Sequence, residues 1–235
     1  MKAIISHVKE HWIRYSLETL VVMMGILGAY ALNNWNELRK DEKIELEIYG
    51  ELNASLKSDS VKLVETIRRL GLCTDGLEKV INNNLADVIK ANNLEDLLNN
   101  IMEGAYSFFP KYGTWQQITN NNQMYLLNAK GMKSKLVDLY DYKYQRYVNI
   151  DNIIDNKFQY PMMEVIAGDI GFIPDVTGSF ANTVDPENFK EHFNKLIHVG
   201  RESYNITSAA LDALIEIQLE VNELLSMTRN ELGDQ

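Results

Sequence analysis

The chain has 235 residues, enough for one large domain or two small ones, and 46% apolar against 24% charged residues excludes wholesale disorder. Ten more acids than bases (33 Asp+Glu, 23 Lys+Arg) argue against nucleic acid as a partner, whose usual footprint is a basic patch. A single cysteine, Cys73, excludes an internal disulfide and a cysteine zinc cage, and 4 prolines with 13 glycines are too few for a turn-rich all-β protein. An all-α protein is what remains.

Residues 19–32, TLVVMMGILGAYAL, carry no charge. The run itself is short, and its flanks extend the reading: Trp12 and Tyr15 precede it and Trp35 follows. Twenty helical steps from Tyr15 to Trp35 cover roughly 30 Å, the thickness of a bilayer's hydrocarbon core. Amphipathic rings at both ends suit the two water–lipid interfaces. The expectation is a membrane anchor over 15–35, after a tail of 1–14 and before an acidic helical domain over 36–235. Glu18 opposes it, since an intramembrane carboxylate is penalised, but it lies near the end of the span beside Arg14. The rival readings are a cleavable signal peptide ending near Ala29-Tyr30-Ala31 and a buried helix of a soluble protein.

Lys2, Lys9 and Arg14 before the span match Arg39, Lys40 and Lys43 after it, so the positive-inside count is a tie. A short basic tail followed by one anchor leans towards a single-pass protein of the cell membrane with its bulk outside the cytoplasm. Gly25, Gly28 and Ala29 include a small-xxx-small spacing that permits close helix approach, although such residues are common in membrane helices.

From Glu18 to Glu37 the segment ETLVVMMGILGAYALNNWNE resembles a family of uncharacterised single-pass membrane proteins from Bacteroidota. Glu18, Val21, Val22, Gly25, Ile26, Leu27 and the exit motif Asn33-Asn34-Trp35-Asn36-Glu37 carry the resemblance, with Thr114-Trp115-Gln116-Gln117-Ile118 as a weaker second match. The chain departs from it at Ser16-Leu17 and at Asn120-Asn121-Asn122. The resemblance implies an anchor, a helical domain and no assigned activity.

Beyond the anchor, Ile44, Ile48, Leu52, Leu56, Leu63, Ile67 and Leu70 recur at helical spacing with a gap near Ser60. They predict a stalk helix running from the membrane to about Leu70. Gly71 and Gly76 are expected to end it, with Asp75 and Glu78 forming a capping box for the next helix. Asn93 is expected to cap a short helix from Leu94, and Thr114 with Gln117 to cap another over Trp115 to Leu127. A longer helix follows Gly131 and reaches Tyr160, where Pro161 kinks or ends it. Residues 168–185, with Gly171, Pro174 and Gly178, read as irregular. Asp185-Pro186 starts a helix expected to end near Gly200. The last helix shows a seam of Ala210, Leu214, Ile217, Val221, Leu224 and Thr228. Six or seven helices in one bundle account for the chain.

Established catalytic motifs are absent, so no enzyme and no cofactor is expected. His192 and His198, six apart, fall on different helix faces. Asp151, Asn152, Asp155 and Asn156 stack oxygen ligands four apart; a solvated polar face is preferred to a cation site. Tyr140, Tyr144 and Tyr147 share a face and read as core, with hydroxyls at its edge. Tyr106, Phe108, Phe109, Tyr112 and Trp115 form an aromatic loop that reads as bundle-end packing or as a ligand or partner surface. Together these features suggest a membrane-anchored, sensor-like interaction protein that contacts the bilayer and another protein, or a second copy of itself. The alternative is a scaffold that oligomerises through anchor and stalk, and the less favoured one an enzyme with an unrecognised site among Asp, Glu and Tyr residues.

Overall fold

A computed structural model describes residues 2–91, 93–173 and 183–233, with the side chains of 2–11 and of Tyr15 outside the description. Pro174 and Gly178 of the expected irregular stretch also lie outside it. No strand occurs among the described residues, so the fold is all-α. Two compact units divide the chain, Met1–Ile48 and Tyr49–Gln235.

The described residues of the first unit are all helical and belong to α1, Lys2–Asn82. Over residues 19–32 its apolar side chains are exposed on every side, with Val21 62% and Leu27 66% exposed and none of the most apolar window buried, whereas Ile44 and Leu46 are half-buried and Ile48 is buried. This is the one helix among the described residues long and apolar enough to cross a membrane. Polar groups pair at both ends of the apolar stretch. Arg14 Nε donates to Glu18 Oε1 at 3.1 Å, and Asn33 Nδ2 donates to Glu37 Oε1 at 3.0 Å. The Arg39 guanidinium lies 4.5 Å from the centre of the Trp35 ring.

The second unit has four layers. In the first, α1 buries Tyr49, Leu52, Leu56, Asp59, Leu63, Thr66, Leu70, Cys73, Leu77 and Val80, alternately three and four residues apart. That is a heptad seam, the pattern that keeps one face of a helix against its neighbours. Ile67 is off the seam and half-buried, and the gap near Ser60 is filled by Asp59. The expected break at Gly71–Gly76 does not occur. At Gly76 a Cβ would sit 3.0 Å from Ile101 Cγ1, so this glycine admits a neighbouring helix rather than ending its own. Asp75 pairs with Lys79 at 2.6 Å instead of capping.

Residues 94–131 return along α1 as the second layer: Glu103 pairs with Arg69, the Lys111 amide with Asp59, and the Ala129 amide with the Tyr49 hydroxyl. After α2 (Leu85–Ala91), α3 (Leu94–Met102) is capped by Asn93 as expected, through Glu95 N at 3.0 Å. Residues 106–112 are not helical. The Thr114–Gln117 box does not form: α4, Gly113–Asn120, starts at Tyr112 without a side-chain cap and stops well short of Leu127. Asn122 and Gly131 both take positive φ, of 55° and 82°, in the turns that follow.

The third layer is a nearly unbroken helical run over 132–169, comprising α5 (Met132–Val137), α6 (Tyr144–Lys157) and wider π turns over 138–143, 158–162 and 164–169. Buried positions explain the π turns. Within α6, Tyr144, Tyr147, Asp151, Ile154 and Phe158 alternate three and four apart, but Leu136, Tyr140, Tyr144 and Phe158, Met162, Ile166 are each spaced four and four. The wider turns absorb one extra residue per passage and keep the face inward. Pro161 lies inside such a turn and does not end the run.

The fourth layer, α7 (Pro186–Gly233), is capped by Asp185 Oδ1 accepting from Glu187 N at 3.1 Å. It does not end at Gly200, which is buried against Leu77 with 3.5 Å of room for a Cβ. Its seam from Phe189 to Thr228 includes all six residues expected from the sequence. Asn53 to Thr228 at 2.8 Å and Ser60 to Asn222 at 3.3 Å set α7 antiparallel to α1. Lys143–Glu220 and Lys157–Glu202 do the same for the third layer.

Candidate functional site

The non-helical segment 106–112 interrupts the second layer at mid-bundle, and the expected aromatic surface divides there. Phe108 (1% exposed) and Trp115 (4%) belong to the core, Tyr112 is half-buried, and only Tyr106 and Phe109 are exposed. Tyr106 is covered on one face by the Arg69 guanidinium at 4.3 Å, itself held by Glu65 and Glu103. Arg68 and Arg69 together lower the Glu65 carboxyl to about 2.

Below the segment lies a cluster of tyrosines around a carboxylate. Tyr140 and Tyr144 meet edge to face at 5.2 Å, Tyr112 touches both at 6.1 Å, and Trp115 stacks on Tyr140 at 5.3 Å. Trp115 Nε1 donates to Asp141 Oδ1 at 2.9 Å. Tyr140 and Asp141 stand in the first π turn, a feature frequent at functional sites.

Asp59 is fully buried. It accepts from the Lys111 amide at 3.2 and 3.3 Å and from the Tyr144 hydroxyl at 3.0 Å, all neutral donors. Burial raises its carboxyl pKa, and the two hydrogen bonds and the more distant charges of Lys62 and Lys111 oppose the shift. Burial, then the charge of Asp59, pushes the Tyr140 and Tyr144 phenols upward. Tyr112 is raised for the same two reasons, with Asp141 adding to them. At neutral pH these phenols are hydrogen-bonding groups rather than bases. The Tyr112 hydroxyl oxygen is buried and has no hydrogen-bond partner, and the buried Tyr140 hydroxyl faces Ser55 without a well-formed hydrogen bond to it. Buried polar groups are usually paired; Gln123 Oε1 and Gln218 Oε1 are also buried without a partner.

Beside the cluster runs an open groove of about 490 Å³ lined by Glu51, Ala54, Ser55, Lys111, Gly113 and Thr114. Ser55 Oγ meets the Lys111 carbonyl oxygen at 3.5 Å, the outer limit of a hydrogen bond. Asp59 and Ser55 escape a search for apolar stripes because they are polar. The signal was their phase, with Asp59 three residues after Leu56 and four before Leu63.

Other expected sites resolve differently. The Tyr140, Tyr144 and Tyr147 hydroxyls do not reach the bundle's edge; Tyr147 donates to Asp151 at 3.0 Å inside it. Asp151 is not on a solvated face but 7% exposed, and burial raises its carboxyl to about 6. Ser107 donates to Asp155 at 3.0 Å. No group of three His, Cys, Asp or Glu able to hold a metal occurs among the described residues. His198 is exposed and 3.4 Å from Glu202, and His192 Nδ1 lies 3.0 Å from the Asn188 carbonyl oxygen. Glu18, Gly25, Gly28, Ala29 and Trp35 stand along α1 in the first unit, and a Cβ at either glycine meets nothing within 4 Å. The Tyr15 side chain lies outside the described residues.

A model for a family of unknown function, DUF6090, matches residues 18–182, a span that takes in the apolar stretch and the whole acid–tyrosine cluster. No curated protein and no solved structure matches the chain.

Proposed function

The chain belongs to the family of unknown function DUF6090, and from that premise we propose that it is a single-pass protein of the cell membrane whose helical bundle is a binding module, sensor-like rather than catalytic. One observation carries the reading. Over residues 19–32 the apolar side chains of α1 are exposed all round, from Leu20 at 50% to Leu27 at 66%. A helix that packs on protein along one face needs an apolar stripe; one that is apolar on all faces suits lipid. Trp12 and Trp35 flank this stretch, and the Arg14–Glu18 pair relieves the carboxylate at its end. The bulk of the bundle is placed outside the cytoplasm, following the lean of the short basic tail.

The binding role rests on the buried acid–tyrosine cluster and its groove, which offer hydrogen-bonding oxygens without a nucleophile–base pair. A second protein is the expected partner; a second copy joined through the anchor is the competing one, and Gly25 and Ala29 provide its spacing. Alkaline carbonate extraction of membranes holding the full chain tests the anchor: retention in the pellet supports it, and release to the supernatant overturns it. Crosslinking in the same membranes separates a heterologous partner from self-association.

A further inference from the structure

We infer that the groove beside Asp59 binds a small ligand through a protonated primary amine, with the ammonium group among the oxygens of Asp59, Ser55, Tyr112 and Tyr140. This deepens the reading of the bundle as a binding module and is independent of the anchor, since amine binding and carbonate extraction can each fail while the other holds.

The imbalance of hydrogen-bonding groups points to a donor. Asp59 is 0% exposed, and its bonded donors, the Lys111 amide and the Tyr144 hydroxyl, are uncharged. A buried carboxylate without a cation is destabilised, and a ligand that brings the missing positive charge removes that penalty. The Tyr112 oxygen lacks a partner and the Tyr140 oxygen has only a loose contact with Ser55, so each can accept an N–H. An ammonium group supplies three N–H donors and no acceptor, which matches this set. The side chains of Lys62 and Lys111 act on Asp59 only through their charge; both residues are exposed, and no Asp59 ion pair forms among the described residues.

Access and charge favour the same ligand. Of the four oxygens only that of Ser55 lines the groove; Asp59 and Tyr140 are fully buried, and the ammonium reaches them by parting the long 3.5 Å contact between Ser55 and Lys111. An incoming N–H donor replaces that weak contact with shorter bonds. Glu51 and Lys111 on the groove wall carry opposite charges, so the preference for a cation rests on the buried Asp59. The groove, about 490 Å³, accommodates a short chain behind the amine along Ala54, Gly113 and Thr114.

The test is isothermal titration of the full chain in detergent at pH 7.5 with n-butylammonium, n-butanol and butyrate as matched cationic, neutral and anionic probes. Binding of n-butylammonium alone is expected, weakened about tenfold or more by Asp59→Asn and roughly fivefold by Tyr140→Phe. If Asp59→Asn does not fold, as judged by circular dichroism, Tyr140→Phe and Ser55→Ala carry the same comparison. Absence of n-butylammonium binding, equal binding of n-butanol, preference for butyrate, or affinity unchanged in the folded variants overturns the proposal.

Discussion

Gly104 is the most closely packed glycine among the described residues and offers a sharp test of the bundle's packing. A Cβ there would lie 2.4 Å from Phe158 Cζ, 2.7 Å from Phe158 Cε1 and 2.7 Å from Cys73 Sγ. Both neighbours are 0% exposed, so neither has free space into which to retreat. Two effects of opposite sign compete in Gly104→Ala. Relief of backbone entropy favours alanine by about 0.5–1 kcal/mol, whereas overpacking a closed core costs about 1–3 kcal/mol and sometimes more. With carbon contacts more than 1 Å inside the usual ~3.5–4.0 Å, the upper end applies, and the net loss is about 2–3 kcal/mol. For a domain of this size that is a fall in melting temperature of roughly 4–12 °C. The measurement is thermal unfolding followed by circular dichroism on the full chain, alongside Phe158→Leu and the double variant. Phe158→Leu alone destabilises by leaving a cavity, but in its background Gly104→Ala loses most of its penalty, because both ring atoms are gone. A melting temperature for Gly104→Ala equal to or above that of the parent refutes the packing argument. So would penalties that simply add in the double variant.

Three further outcomes follow from individual groups. Burial raises the Asp151 carboxyl from 3.8 to about 6, so the folded chain holds a proton there that the unfolded chain releases; stability from this group is complete below pH 4 and is lost as pH rises to 6, by at most about 3 kcal/mol. Asp151→Asn is expected to flatten the stability profile between pH 4 and 6, measured by melts across that range, and an unchanged slope would contradict the assignment. Lys143 bonds Glu220, which is 8% exposed, and Asp138 at 3.0 Å, so Lys143→Met strands a buried carboxylate and costs about 2 kcal/mol in the same melts, with Glu220→Gln restoring most of it. Ile26→Arg puts a charge at the middle of the apolar stretch, adds about 2.5–3.5 kcal/mol to insertion, and shifts the chain out of the carbonate-resistant membrane pellet.

The helices were legible wherever core positions were apolar. The α7 seam from Ala210 to Thr228 and the α1 stripe from Ile48 to Leu56 could be read because each turn contributed a greasy residue. Helix ends were less legible, because glycine is a weak stop signal when tertiary contacts favour continuation. Gly76 and Gly200 lie within long helices, at places where a neighbouring layer passes close. The Thr114–Gln117 box failed for a related reason. Its sequence pattern is local, but the start of α4 is set by the Tyr112 carbonyl accepting from Gln116 N at 2.9 Å, next to the Lys111–Asp59 contact.

The site was half legible, and its hidden half follows from the seam itself. The aromatic residues of 106–115 stood out by type, but only the fold reveals that Phe108 and Trp115 face inward while Phe109 faces out. The polar half was masked because Asp59 interrupts the apolar seam between Leu56 and Leu63. A segment that leaves the helix presents backbone N–H and C=O groups that a purely apolar neighbour cannot satisfy. Asp59 meets that need at Lys111 N, Ser55 at Lys111 O, and Tyr49 at Ala129 N. Backbone satisfaction therefore accounts for Asp59, Ser55 and Tyr49. It does not account for the Tyr112 and Tyr140 hydroxyls, which bond to no backbone group and would be replaced without loss by phenylalanine if packing were their only role. Tyr112→Phe/Tyr140→Phe is thus expected to melt at or above the parent temperature while losing affinity for n-butylammonium. A large loss of stability in that double variant, read from the same thermal melt, would assign both hydroxyls to the fold and remove the reason for a ligand.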